Sequence, residues 1–190
     1  AGYDAVVFDG SELPFEENIK KTKAIVDWVK SVRPEVLVEG EVGYIGSGSV
    51  VREGVPEGIQ LTSVEEAVRF VGETGVDLLA PAVGNIHGII KGGEPRLNIE
   101  LIRAIKKAVK IPLILHGASG NSDEDILAAI QAGISVVHIN TEVRLAWREA
   151  LDKPLHERPQ ELAPYKILSG AEAAARDIIA KKIKLFYNVG

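Results

Sequence analysis

The chain has no cysteine and no methionine among its 190 residues. The first absence excludes a disulfide framework, a thiolate metal site and a cysteine nucleophile, so any metal must sit on histidine and carboxylate ligands. Nor is there an apolar run near the roughly 18 residues of a membrane span, and the opening residues do not read as a signal peptide. An excess of basic charge is missing too. Lys and Arg number 22 against 27 Asp and Glu, for a formal net charge of −5, with the two signs interspersed. This is no electrostatic footprint for nucleic acid or an anionic membrane, and the default expectation is a cytosolic protein. The lack of methionine, in a chain that reaches an apolar stretch within five residues of Ala1, sets the further expectation that an N-terminal portion precedes it.

What remains is 46% hydrophobic and 26% charged, enough to bury one core, and residues 1–190 are expected to form a single domain. Short apolar runs bounded by glycine or polar residues occur at 5–8, 36–38, 78–83, 113–115 and 135–139, and suit buried parallel strands. Helical patterns lie between them. Ile19, Thr22, Val26 and Val29 recur at helical spacing behind Pro14; Ser63 and Glu66 make a capping box; Asn98 caps a third helix; Ser122 and Gly133 bracket a fourth. A further helix is expected over 171–186, as an outer helix or subunit contact. Repeated strand–helix units imply either an open doubly wound sheet or a (β/α) barrel, and in both the ligand site lies at the carboxyl ends of the strands.

The residues at those ends carry the chemistry. They are Asp9, the run Glu39-Gly40-Glu41, then His87-Gly88, His116-Gly117-Ala118-Ser119-Gly120 and His138-Ile139-Asn140-Thr141. Three of the four histidines stand there. His87 and His116 lie one strand–helix unit apart and project toward a common point, as two imidazole ligands of a divalent metal must. Gly117 to Gly120 precede a helix start and offer backbone N–H groups and a hydroxyl to an oxyanion, with Asn140 and Thr141 as further donors beside them. Asp9 and Glu41 read either as a second carboxylate pair near the metal or, for Asp9-Gly10-Ser11, as a plain turn before a helix. The glycine-rich connection 44–60 has the length of a lid or an unstructured segment, and His156 reads as a surface residue.

The runs Val7 to Ser11, Val38 to Gly43, Leu61 to Ala67, Ala82 to Gly88, Leu113 to Gly120 and Asn140 to Arg144 together resemble the class II, metal-dependent ketose-bisphosphate aldolases. The resemblance covers essentially the whole chain. It implies a (β/α)8 TIM barrel of which these residues are units four to eight. It also implies that His87 and His116 ligate a catalytic zinc, with Asp9 and Glu41 near a second or alternative cation. Gly88, Gly117, Ala118, Ser119, Asn140 and Thr141 match positions that hold dihydroxyacetone phosphate, and His138 falls among them. The family's third histidine ligand and its proton-donating aspartate belong to a motif not found in these residues.

Three departures stand out. His138 occupies a place where the family usually has asparagine, Val136 replaces a usual lysine, and the mobile-loop glutamate is replaced by Ser47-Gly48-Ser49 unless Glu53 or Glu57 shifts register. The implied reaction is zinc-dependent cleavage and condensation of fructose 1,6-bisphosphate, with dihydroxyacetone phosphate and glyceraldehyde 3-phosphate as products, in glycolysis and gluconeogenesis. Tagatose bisphosphate is the nearest alternative substrate. A homo-oligomer, dimer or tetramer, is implied as well. The rival from another class is a non-catalytic phosphate- or metal-binding partial barrel completed by another chain, and a third is a metal-free barrel isomerase.

Overall fold

The computed structural model describes residues 2–55, 57–93 and 95–187. Its elements run β1 (Ala5–Phe8), α1 (Phe15–Val32), β2 (Leu37–Val42), β3 (Val51–Arg52), α2 (Val64–Thr74), β4 (Leu78–Pro81), β5 (Ile89–Ile90), α3 (Ile99–Val109), β6 (Leu113–Leu115), α4 (Asp123–Ala132), β7 (Ile134–Val137), α5 (Thr141–Glu157) and α6 (Pro164–Tyr187). Five strands form one parallel sheet in the order β1-β2-β4-β6-β7. Spatial order follows chain order without reversal. A doubly wound sheet requires a switch in that order, so the described sheet is singly wound. Helices α1 to α4 pack against their sequence neighbours as a layer on the sheet.

Local chemistry sets the helix starts. Ser63 Oγ accepts from Glu66 N while the Glu66 carboxylate accepts from Ser63 N, a complete capping box for α2. Asn98 Oδ1 accepts from Leu101 N at α3, and Ser122 Oγ from Asp125 N at α4. The core lies between strands and helices: Val38, Val42, Leu79, Leu113 and Leu115 face Phe70, Ile102, Ile105 and Ala129. Gly40 is part of this contact, because a Cβ there would come within 2.7 Å of the Phe70 ring.

The structure departs from the sequence expectation in several places. Strand β2 runs on through Glu39, Gly40 and Glu41, which had read as the residues beyond its end; the two glutamates alternate with Val38, Gly40 and Val42 and so share the face away from the helices. Strands β4 and β7 stop earlier than their apolar runs, leaving His138 and Asn140 in the connection to α5. Helix α5 was not foreseen and contains Pro154, and α6 begins at Pro164, seven residues ahead of the expected start. Within the glycine-rich connection, β3 pairs with β5 beyond His87 and ties this segment to the rim of the sheet. Both marginal strands are open: Val7 of β1 is 55% exposed and Val136 of β7 is 41% exposed.

Candidate functional site

The strand ends converge because polar side chains tie neighbouring strands together. Thr62 Oγ1 donates to Val42 O (2.6 Å) and accepts from Ala82 N (2.9 Å), clamping β2 to β4. Asn85 accepts from Val83 N and donates to His116 O (2.9 Å), clamping β4 to β6. Asn18 of α1 donates to Glu41 O (2.8 Å). All three side chains are buried, so losing one would strand buried partners.

His116 sits at the centre. Its Nδ1 lies 2.9 Å from Glu41 Oε1 and its Nε2 lies 2.7 Å from Glu39 Oε1, all three side chains being nearly inaccessible. Burial lowers the basicity of this imidazole, but the two carboxylates outweigh it and raise the pKa to about 9. The Glu39 pairing is unfinished: Glu39 Oε1 and His116 Nε2 are close, yet neither has an aligned hydrogen-bond partner among the described residues. His138 stacks on His116 with ring centroids 4.6 Å apart, and burial together with the neighbouring His116 pushes its pKa down. His87 stands on the other side, its ring centroid 6.2 Å from that of His116. Its Nδ1 lies 2.8 Å from Gly46 O, an acceptor only, so Nδ1 donates and Nε2 is the nitrogen left for a ligand.

A cleft of about 270 Å³ opens above these rings, lined by Gly48, Ser49, His87, Gly88, His116, Gly117, Ser119, His138, Asn140 and Thr141. Gly117 has φ +56°, and a Cβ there would collide with Ile86 O, so the loop after β6 can lie against the His87 loop only with glycine at this position. Ser119 Oγ accepts from Asn140 N (3.4 Å) and Glu142 N (3.3 Å) at the start of α5, which leaves its hydroxyl proton as its offering to a ligand. Glu142 holds the loop from below, accepting from Gly120 N (2.9 Å) and meeting Lys182 Nζ at 3.2 Å.

Of the residues expected from sequence, His87, His116, Gly88, Gly117, Ser119, His138, Asn140 and Thr141 line one cleft. Ala118 is fully buried beneath it. Glu41 is brought to His116 as the partner of its Nδ1. Asp9 is not brought to the histidines: it is exposed, and its Oδ1 accepts from Ser11 N (3.0 Å) and Ser11 Oγ (2.6 Å), which is the turn alternative. His156 lies exposed on the last turn of α5, its Nδ1 2.7 Å from Asp152 O. Glu39, named from sequence only as part of the strand-end run, has no role of its own there, although its two-residue spacing from Glu41 on a strand places both on one face. The Gly48-Ser49 wall was missed because nothing in a glycine-rich loop tells which way it folds.

A singly wound parallel sheet whose carboxyl ends gather imidazoles, carboxylates and an oxyanion-ready loop defines a metal-capable α/β enzyme scaffold. Comparison narrows this. The profile of the class II fructose-bisphosphate aldolase family matches residues 1–190, and the chain belongs to that family. It is 41% identical over 186 residues to the 6-phospho-5-dehydro-2-deoxy-D-gluconate aldolase of Shouchella clausii, covering 98% of this chain and 61% of the relative. It is 37% identical over 185 residues to the sulfofructosephosphate aldolase of Alkalicoccus urumqiensis, covering 97% and 63%. The crystal structure of the YdjI aldolase from Escherichia coli K12 superposes with a TM-score of 0.79 at 35% identity, over 100% of this chain and 63% of that one. The chain thus spans about three fifths of the length of these relatives.

Proposed function

We propose that this chain supplies the metal-binding and phosphate-binding parts of an aldolase that cleaves a phosphorylated ketone substrate, within a (β/α)8 barrel of which the five strands are consecutive members. The observation that carries the reading is the convergence of His87, His116 and the Gly117–Ser119 loop on one cleft. The donor set fits a divalent ion, zinc being the natural candidate: the Nε2 side of the His87 imidazole, a second imidazole from His116, carboxylates beside it, and the facing atoms of Glu39 and His116 left without aligned partners. When bound, the ion supplies Lewis-acid stabilisation of the negative charge that develops beside the ketone as the carbon–carbon bond breaks. Gly46 O fixes the ring of His87, and Glu41 fixes that of His116. Ser119, Gly117 and the start of α5 hold the phosphate end, so that binding energy remote from the reacting bond positions it.

The substrate need not be fructose 1,6-bisphosphate. That sugar and the 6-phospho-5-dehydro compound in the name of the Shouchella clausii relative share one fragment, a ketone on the carbon next to the phosphorylated one. Imidazoles for a metal beside the ketone and the Gly117–Ser119 loop for the phosphate support a reading in which this shared fragment is what the cleft holds. We therefore assign the class as ketone phosphates cleaved to dihydroxyacetone phosphate, with fructose or tagatose bisphosphate as two members, in a cytosolic homo-oligomer. The test is release of triose phosphate from a panel of such compounds, with and without a chelator. The reading requires cleavage of at least one, abolished by the chelator and restored by zinc; cleavage that ignores the chelator overturns it.

A second reading is favoured by the exposed valines of β1 and β7, the strands at the two sheet margins. Here the described sheet is a non-catalytic metal- and phosphate-binding arc closed by another chain. Subunit composition separates the two: aldolase activity in a preparation that holds a single kind of polypeptide excludes completion by another chain, and activity that appears only when a second kind is added requires it.

A further inference from the structure

His138 departs from the asparagine that the aldolase resemblance leads one to expect, and its surroundings give the change a direction. Among the described residues, one group of three metal-capable side chains has ligand atoms all within 4.8 Å of one another: Glu39, His116 and His138. His87 is not in it. Glu39 and His116 are each more than nine-tenths buried, and their facing atoms are two of the three buried side-chain atoms left without aligned partners among the described residues, the third being Asn121 Oδ1. His138, by contrast, is exposed at the cleft, where a further coordination position can meet solvent or ligand. Glu41 holds His116 Nδ1 from behind, the carboxylate–histidine arrangement that directs the other nitrogen to a metal.

From this geometry we infer that His138 is a metal ligand, and that Glu39, His116 and His138 form a second seat that shares His116 with the His87 pair. Zinc binds nitrogen and oxygen at about 2.0–2.2 Å, which sets neighbouring donors roughly 3.4 Å apart in a tetrahedron. The 2.7 Å separation of Glu39 Oε1 and His116 Nε2 is shorter, so an entering ion parts them by a small rotation of the carboxylate. Because Glu41 occupies Nδ1, His116 has one nitrogen to give, and the ion occupies one seat at a time. The stacked rings of His116 and His138 bring two imidazoles to the same side of the cleft, an arrangement an asparagine at this position would not provide.

The inference rests on the metal-dependent reading, and the test keeps the two apart. Cobalt(II) is titrated into the protein and followed by its visible d–d absorption, in the wild type, His87→Ala, His138→Asn and the double variant, with circular dichroism as the check on folding. The inference expects His87→Ala to retain about one equivalent of cobalt, and His138→Asn in that background to weaken binding at least about tenfold, the cost of a lost ligand being no smaller than that of a lost supporting partner. As a positive signature, His138→Cys, in a chain with no other cysteine, should add a thiolate-to-cobalt charge-transfer band in the near ultraviolet. Loss of cobalt on His87→Ala alone, or no further loss in the double variant, overturns the second seat and leaves the metal-dependent reading standing. Failure of the folded wild type to bind cobalt overturns both.

Discussion

The end of β6 and the end of β1 carry the same kind of sequence signal, an apolar run followed by a titratable residue and a glycine, and the structure treats them differently. At β6, His116 is buried between strands on both sides, with Glu39 and Glu41 of β2 against its two nitrogens. At β1, Asp9 lies exposed on a marginal strand and spends its carboxylate on Ser11 two residues away. Among the described residues His116 joins a site because another strand brings it partners, whereas Asp9, with no such partner beside it, bonds to the turn that follows it. The same contrast holds for packing, since Leu115 of β6 is inaccessible while Val7 of β1 is 55% exposed.

This comparison can be broken at four points. His116→Ala should have the largest effect, lowering triose phosphate release by about 10³-fold, because it removes the ligand common to every metal arrangement considered; steady-state kinetics with saturating zinc checks it. Next, Leu115→Ala should cost about 3 kcal/mol in urea unfolding, from lost burial and the cavity left behind; a cost within about 0.5 kcal/mol would mean that the centre of the sheet is no better packed than an exposed position. Glu41→Gln should weaken zinc binding by about 10- to 100-fold with the fold retained, as loss of a supporting carboxylate does, read by competition with a chromogenic chelator. Asp9→Asn should change zinc affinity by less than about twofold in the same assay; a tenfold loss would restore Asp9 to the metal centre.

Much of the scaffold was legible because its signals are local. The capping residues Ser63, Asn98 and Ser122 each bond within three residues of themselves, and amphipathic spacing located five of the described helices, the last with its start seven residues late. The histidine pair was legible because a strand–helix repeat puts equivalent positions side by side. Glu39 was not, since its role depends on β2 continuing through polar residues, and that continuation is carried by parallel pairing with β1 and β4 rather than by anything near it in sequence. The β3–β5 pair, two residues a side, is too short for any period to register. Helix α5 was hidden by Pro154, whose place in its last turn still permits a helix up to that point.

The most direct test of the central claim is the zinc content of the folded protein, determined by elemental analysis in the wild type and in His116→Ala. The account predicts about one tightly held equivalent in the first and its loss in the second. A folded wild type that stays free of metal after equilibration with zinc, or a His116→Ala variant that keeps it, would contradict the account.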